Sequence, residues 1–308
     1  MANGRIVVFG SYINDLVGRG PHLPRPGETL KGSSFQTGPG GKGFNQAVAA
    51  KRTGSEVLMV TKVGLDSFGE LAISNFKKEG IPTRYVFRDS QAPTGAALIV
   101  VHEETGENQI LVTMGACGRI TEEEVESGRK DIEKASLVLT QFETNMDATE
   151  RCISIAKKVG VPVILNPAPM QEVSDDILAM VDIVTPNEIE ASMLSGVEIS
   201  DLTSTREAAK LLLAKGVKKV VITLGKKGVY ACADDEELVL PAVGYAPVVD
   251  TTGAGDAFNG ALATGLAEGM GFFEAVKFSN VAASLSTTRY GAAQSMAYRK
   301  EVEKYLKI

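Results

Sequence analysis

Between Asp250 and Ala263 the chain reads DTTGAGDAFNGALA. Gly253 and Gly255 stand just ahead of Asp256, and the residues behind it have the pattern of a helix. Glycines carry no side chain, so backbone N–H groups can approach a ligand closely. The N-terminus of a helix adds unpaired N–H groups and positive dipole charge, which together attract anions. A carboxylate at such a place opposes simple anion binding. It suits a reaction in which the carboxylate takes a proton from a group that then attacks the bound anion. The plain alternative is a helix cap, worth about 1 kcal/mol. A cap needs neither the two glycines nor the second acid, Asp250, six residues upstream.

A second glycine-rich stretch, GPGGKGFNQA, covers residues 38–47. Gly38, Gly40 and Gly43 match the letters of the dinucleotide pattern G-x-G-x-x-G, but that pattern closes the first strand of a βαβ unit. Here the first strand-like run, RIVVFG, lies well upstream. A phosphate-binding P-loop also fails, because Gly43 follows Lys42 and Gln36 occupies the first glycine position. What remains is a glycine turn into a helix that presents Lys42 and Asn45. An amide beside backbone N–H groups suits the hydroxyls of a polyol, and a packing turn is the alternative. GSYINDL places Asp15 after the first strand, at the carboxyl edge where open α/β sheets bind ligands. There it is either an acceptor for hydroxyls or a turn former. QFET ends a strand with Glu143, and TPNEIEA ends another with Asn187, Glu188 and Glu190. Acids and amides gathered at strand ends point to one cleft, although capping by Asn187 explains part of that cluster. ITLGKKG ends a later strand in a glycine turn, with Thr223, Gly225 and Gly228, that could pass close to a flat base.

These residues need elements to hold them. RIVVFG, EVLMVTKVG, ASLVLTQFE, VPVILNPAP, VDIVTPNE and KKVVITLGKKG read as buried strands. DSFGELAISNFKKEG, MDATERCISIAKKVG and STREAAKLLLAKGV between them have helical spacing and end in glycine or just beyond it. Strand–helix alternation implies a parallel sheet covered on both faces. Residues 24–38 and 95–115 break the pattern. The latter reads as a hairpin around Thr105–Gly106. Both fit a small second sheet that projects as a lid, or an ordinary edge hairpin. No internal repeat, low-complexity tract or interdomain linker is evident.

Composition removes several function classes. The chain has 308 residues, 44% hydrophobic and 23% charged, with a formal charge of −6. This is ordinary for a soluble globular protein and argues against a nucleic-acid partner. No run approaches a membrane span, and the short apolar stretch in MANGRIVVFG is too small for a signal-peptide core. Cys117, Cys152 and Cys232 show no metal or disulfide spacing, so reduced thiols in a cytoplasm are expected. The only histidines, His22 and His102, lie in stretches that read as exposed. An enzyme built from this chain would use a carboxylate as its base.

GGKGFNQA and DTTGAGDAFNGALA, in this order and far apart, resemble the two signatures of the pfkB-type carbohydrate kinase family, in its ribokinase branch. The resemblance runs essentially end to end, with NPAP (166–169), TPNEIEA and TRYGAAQS also in comparable positions. It implies a single doubly wound α/β domain over residues 1–308, a mostly parallel central sheet with helices on both faces, and a β-sheet lid near 16–38 and 94–115. It implies transfer of the γ-phosphoryl group of Mg-ATP to a sugar hydroxymethyl group, D-ribose giving ribose 5-phosphate. Asp256 would be the base, and the N–H groups of Gly253, Ala254 and Gly255 an anion hole for the transferring phosphoryl. The helix terminus would keep Asp256 ionised. Asp15, Gly41, Lys42, Asn45 and Glu143 would line the sugar site. Asn187, Thr223, Gly225, Gly228 and Asn280 would face ATP, and Glu190 would act on Mg²⁺ through water. Asp250, Thr252, Ser286, Arg289, Gly291 and Ser295 match positions around a monovalent cation, K⁺, several through carbonyls.

The chain departs from that pattern at Ile13, where ribokinases often carry a polar residue, with Asn14 displaced by one. In extended chain Ile13 and Asp15 share a face and Asn14 points away. A kinase for deoxyribose, another pentose or hexose, or a nucleoside is therefore the alternative within the class. GAAQSM also lacks the proline usual near the cation site. A sugar-responsive binding protein on the same fold would not need Asp256, and the misplaced glycines argue against an NAD-dependent dehydrogenase. An exposed edge of the lid sheet invites a homodimer.

Overall fold

The computed structural model describes residues 4–306. Its strands are β1 (Arg5–Phe9), β2 (Ile13–Gly20), β3 (Ser34–Gly40), β4 (Glu56–Gly64), β5 (Val86–Asp89), β6 (Thr94–His102) and β7 (Asn108–Gly115), then β8 (Leu137–Thr140), β9 (Val163–Leu165), β10 (Ile183–Val184), β11 (Lys219–Thr223), β12 (Val229–Ala233) and β13 (Glu236–Leu240). The helices are α1 (Lys42–Thr53), α2 (Ser67–Lys78), α3 (Glu122–Ser127), α4 (Arg129–Ile132), α5 (Met146–Val159) and α6 (Asp175–Met180), then α7 (Glu188–Ser195), α8 (Leu202–Ala214), α9 (Ala254–Ala267), α10 (Phe272–Ser286) and α11 (Arg299–Leu306).

A nine-stranded sheet runs in the order β13-β12-β11-β10-β9-β8-β1-β4-β5. Neighbours from β11 to β5 are parallel. The strands are apolar on both faces because both are covered. In β1, Val7 and Phe9 join a core cluster that includes residues of α5 and α8, while Ile6 and Val8 join one with residues of α1, α9 and α10. The expected doubly wound α/β architecture is present. Strand order reverses beside β1, between its neighbours β4 and β8. Connections leaving β1 and β8 diverge there and open a crevice at the carboxyl ends.

The sequence reading stops at the Gly228 turn and does not anticipate the antiparallel β12–β13 hairpin. Its turn carries no glycine or proline to mark it; Asp234 takes the left-handed conformation at φ 52° instead. The second sheet has the order β3-β2-β6-β7. Its pairing starts at Ile13↔Gly40 and so reaches beyond residues 16–38, and β6 and β7 span 94–102 and 108–115. Leu98 and Leu111, paired across these two strands, are 50% and 61% exposed.

One contact decides where the chemistry can sit. A Cβ on Gly260 would stand 2.5 Å from Ala49 Cβ and 2.5 Å from the Gln46 carbonyl oxygen. Only glycine lets α9 lie this close on α1. The same seam holds a Thr53–Thr264 hydroxyl hydrogen bond of 2.9 Å. Asp256, one turn before Gly260, is thereby brought against the first turn of α1.

Candidate active site

α1 begins on glycines because its N-terminus presses on the β1–β2 connection. Gly41 has φ 85°, and a Cβ on Gly43 would lie 2.5 Å from the Ser11 nitrogen. These two glycines therefore answer a packing need as well as any ligand. Glu143, arriving from the end of β8, accepts hydrogen bonds from the Lys42 backbone N–H (2.8 Å) and from the Ser11 hydroxyl. A carboxylate at a helix N-terminus is electrostatically favoured.

At the start of α9, Gly253 adopts φ 75° and Ala254 is the first helical residue. Asp256 is not a cap. Its Oδ2 accepts from Asn45 Nδ2 and its Oδ1 from Gln46 Nε2, both at 2.9 Å, and it is only 7% exposed. Burial, and then Glu143, raise its pKa above the ordinary value, and Lys42, Gln46 and Asn45 offset only part of the rise. The groups that oppose its protonation are the lysine and the two amides. The anion hole needs a correction. The Ala254 N–H is turned to the Thr251 carbonyl (3.2 Å), which leaves the N–H groups of Gly253 and Gly255 without an acceptor among the described residues.

The acids and Lys42 form one buried electrostatic unit. Burial, then Glu143 and Asp256, push the Asp15 pKa up to about 7. Burial alone would lower the Lys42 pKa, yet Asp256, Glu143 and Glu190 carry it above the ordinary value. Burial raises Glu190, against the Asn187 N–H and Lys42. Asn187 and Glu190 close a capping box: Asn187 Oδ1 accepts from the Glu190 N–H, and Glu190 Oε2 accepts from the Asn187 N–H. The other Glu190 oxygen has no partner among the described residues.

A cavity of about 820 Å³ is lined by Lys42, Asn187, Glu190, Thr223, Gly225, Gly228, Gly253, Ala254, Gly255, Asp256 and Asn280. Gly225 faces open space, whereas a Cβ on Gly228 would lie 2.0 Å from the Leu240 carbonyl oxygen, so Gly228 is required by β13 rather than by a ligand. Asp15, Gly41, Asn45 and Glu143 do not line this cavity. They sit on the side of Asp256 toward the second sheet, joined to it through Asn45. The amine of Asn45 is held by Asp256, and its buried Oδ1 has no partner. Asn45 therefore keeps one acceptor unused, closed off from solvent in this arrangement.

The third group is at the edge. Asp250 joins two chain segments, Oδ1 accepting from the Thr252 N–H (2.9 Å) and Oδ2 from the Gly291 N–H (3.0 Å). The Ser286 and Ser295 hydroxyls donate to nearby backbone carbonyls, and the Arg289 guanidinium pairs with Glu301. Arg289 has only its backbone carbonyl to offer to a cation, while Ser286 and Ser295 keep carbonyl and hydroxyl lone pairs. Among the described residues, no group of three or more His, Cys, Asp or Glu could hold a metal.

Ile13 is 1% exposed and occupies the row of β2 that contacts Gly95, two residues before Asp15. Asn14 lies on the opposite face, where its Oδ1 accepts from the Tyr12 hydroxyl (3.1 Å), which in turn accepts from Asn75. Asn14 therefore does not replace the missing polar group beside Asp15. Sequence reasoning misses Gln46, Gln141 and Asn166. All three lie inside stretches it singles out, GGKGFNQA, QFET and NPAP, and the polar type of a residue in a strand-end or helix-start motif is the signal that would have found them.

The family model for pfkB family carbohydrate kinases matches residues 3–298. The chain belongs to the pfkB carbohydrate kinase family. This pfkB kinase is 41% identical over 301 residues to a ribokinase of Haemophilus influenzae, covering 98% of both chains. It is 35% identical over 304 residues to a deoxyribokinase of Salmonella typhi, covering 98% of this chain and 99% of that one. The solved structure of Arabidopsis thaliana ribokinase complexed with ribose and ATP is similar with a TM-score of 0.90, at 33% identity and full coverage of both chains. As a pfkB carbohydrate kinase the chain is a phosphotransferase, and Asp256 lines the cavity while Asn45 joins it to the group of Asp15, Gly41 and Glu143. No helix among the described residues is long and apolar enough to cross a membrane.

Proposed function

We propose that this kinase transfers the γ-phosphoryl group of ATP to the 5-hydroxymethyl group of D-ribose, giving ribose 5-phosphate and ADP. One observation carries the reading: the Asp256 carboxylate, held on both oxygens, lines a large cavity and is electrostatically coupled to Asp15 and Glu143. The sugar lies under the lid against Asp15, Gly41, Lys42, Asn45 and Glu143, with the carboxylates accepting from its hydroxyls. ATP occupies the cavity against Asn187, Thr223, Gly225, Gly228 and Asn280. Asp256 takes the hydroxyl proton as the sugar oxygen bonds to the γ-phosphorus and the bond to the β–γ bridging oxygen breaks, its electrons leaving with ADP. The Gly253 and Gly255 N–H groups stabilise charge on the transferring phosphoryl, each worth roughly 3–4 kcal/mol. Ala254 serves by placing the helix start. Lys42, between Asp256 and Glu190, adds positive charge toward the phosphates.

Glu190 suits Mg²⁺ through water because one of its oxygens is free; the ion would neutralise phosphate charge. Asp250 with Thr252 and carbonyls of Ser286, Arg289, Gly291 and Ser295 forms an all-oxygen donor set, the type a K⁺ ion takes, and that ion would order the loop beside the start of α9. Two copies pair through the lid sheet, whose apolar Leu98–Leu111 row is exposed.

A panel of sugars with ATP, read by ADP release, tests the reading. Ribose should be the best pentose, and absence of turnover on every sugar would refute it. The apolar Ile13 beside Asp15 favours deoxyribose as the second reading.

A further inference from the structure

We infer that Gln46 and Gln141 form a directional amide relay that positions the Asp256 carboxylate for proton transfer. The inference rests on Asp256 acting as the base. Both glutamines are fully buried at 0% exposure, where primary amides are costly unless hydrogen-bonded. Gln141 Nε2 donates to Gln46 Oε1 at 2.6 Å. Gln46 Nε2 donates to Asp256 Oδ1 at 2.9 Å and to Asn166 Oδ1 at 3.1 Å. Asn166 Nδ2 donates to the Thr185 carbonyl at 3.0 Å.

The direction of every amide follows from that last bond. A backbone carbonyl only accepts, so the Asn166 amine must face Thr185 and its oxygen must face Gln46. Gln46 then turns its amine to Asn166 and Asp256 together, and its oxygen to Gln141. Reversing Gln46 would set its oxygen against both the carboxylate and the Asn166 oxygen. Gln141 must therefore present its amine to Gln46, and its own Oε1 is left buried without a partner, beside the Cα of Gly10. An unmatched buried acceptor is unfavourable, and it is the consequence of keeping the direction. The second donor to Asp256, Asn45, has no such constraint, since its Oδ1 is also unpartnered. Gln46 is thus the rigid support of the carboxylate and Asn45 the adaptable one. Gln46 acts through the Asp256 carboxylate and Gln141 through Gln46, so both are positioning residues.

The test compares Gln46→Met and Gln141→Met with the native enzyme in kcat against pH, in KM for each substrate and in circular dichroism, with Asp256→Asn alongside. A hydrogen bond to a charged group is strong enough that losing it should move the acidic limb of the profile up by about one pH unit. For Gln46→Met we expect that shift, a plateau kcat lower by about tenfold, and both KM values within about threefold. Gln141→Met should change in the same sense and by less. An unmoved acidic limb in Gln46→Met, whether kcat falls or not, overturns the relay, because a merely structural role lowers the rate without shifting the limb. If Asp256→Asn is inactive while Gln46→Met titrates like the native enzyme, the relay alone fails. If Asp256→Asn keeps its turnover, the base assignment fails and the relay with it. Should Gln46→Met not fold, Gln141→Met decides by the same limb, since it leaves all contacts to Asp256 in place.

Discussion

Replacing Asp256 by Asn removes the base while changing the local packing very little, and the structure says how the new amide must lie. Both carboxylate oxygens accept from amines, of Asn45 and Gln46. An asparagine has one oxygen and one amine, so one of these partners would face a donor. Gln46 cannot turn, because Asn166 and Gln141 hold it. Asn45 can, because its Oδ1 has no partner to lose. The variant should therefore keep its oxygen toward Gln46, present its amine to a turned Asn45, and lose no net hydrogen bond. Removing a positioned general base lowers the rate by about 10²–10⁴-fold, which is roughly 3–5 kcal/mol of barrier. The melting temperature should hold or rise at pH 8, since burial disfavours the ionised native carboxylate. Turnover by ADP release, calorimetric ATP binding and thermal unfolding on one preparation check all of this. A kcat within about tenfold of native, or ATP affinity lost together with turnover, would refute the reasoning.

Asp15 makes stability depend on pH. Its pKa is raised to about 7 in the fold, against about 3.9 unfolded, so the folded chain holds a proton the unfolded chain releases. The resulting stability is present at low pH and is lost as pH rises through about 7. Asp15→Asn should therefore stabilise the fold more at pH 8 than at pH 5, by about 1–2 kcal/mol given the partial exposure of the carboxyl. Equal melting differences at both pH values would contradict the shift. At Ile13 there is no polar group to leave unpaired, so one deoxy or epimeric analogue should come within about 10²-fold of ribose in kcat/KM, and Ile13→Asn should widen the gap. Rejection of every analogue by far more would show that another residue supplies the contact. Replacing Na⁺ or choline by K⁺ at constant ionic strength should raise the rate, and equal rates in all three salts would remove the cation from the account.

The local order of residue types was enough to read the sheet and the kinase signatures. Continuous apolar runs such as RIVVFG and EVLMVTKVG are what a parallel strand buried on both faces requires. Gly253 before Asp256 takes φ 75°, a turn into the helix that glycine allows, and that need is expressed by the local chain. Gly228 and the β12–β13 hairpin were harder. The turn at Asp234 has no glycine, and the need for Gly228 comes from Leu240, which only the folded hairpin brings near.

The polar partners belong to tertiary structure alone. Gln46 and Asp256 are 210 residues apart, and nothing in either stretch says that an amide of one meets a carboxylate of the other. Their meeting depends on α9 lying against α1 at Gly260 and Ala49. The same is true of the Ala254 N–H turned to Thr251, and of Asn14 facing Tyr12 instead of Asp15. A motif states which groups are present, through spacing set by the covalent chain. Which donor faces which acceptor is decided by the close approach of distant segments, because a hydrogen bond is made only within about 3 Å and at a narrow range of angles.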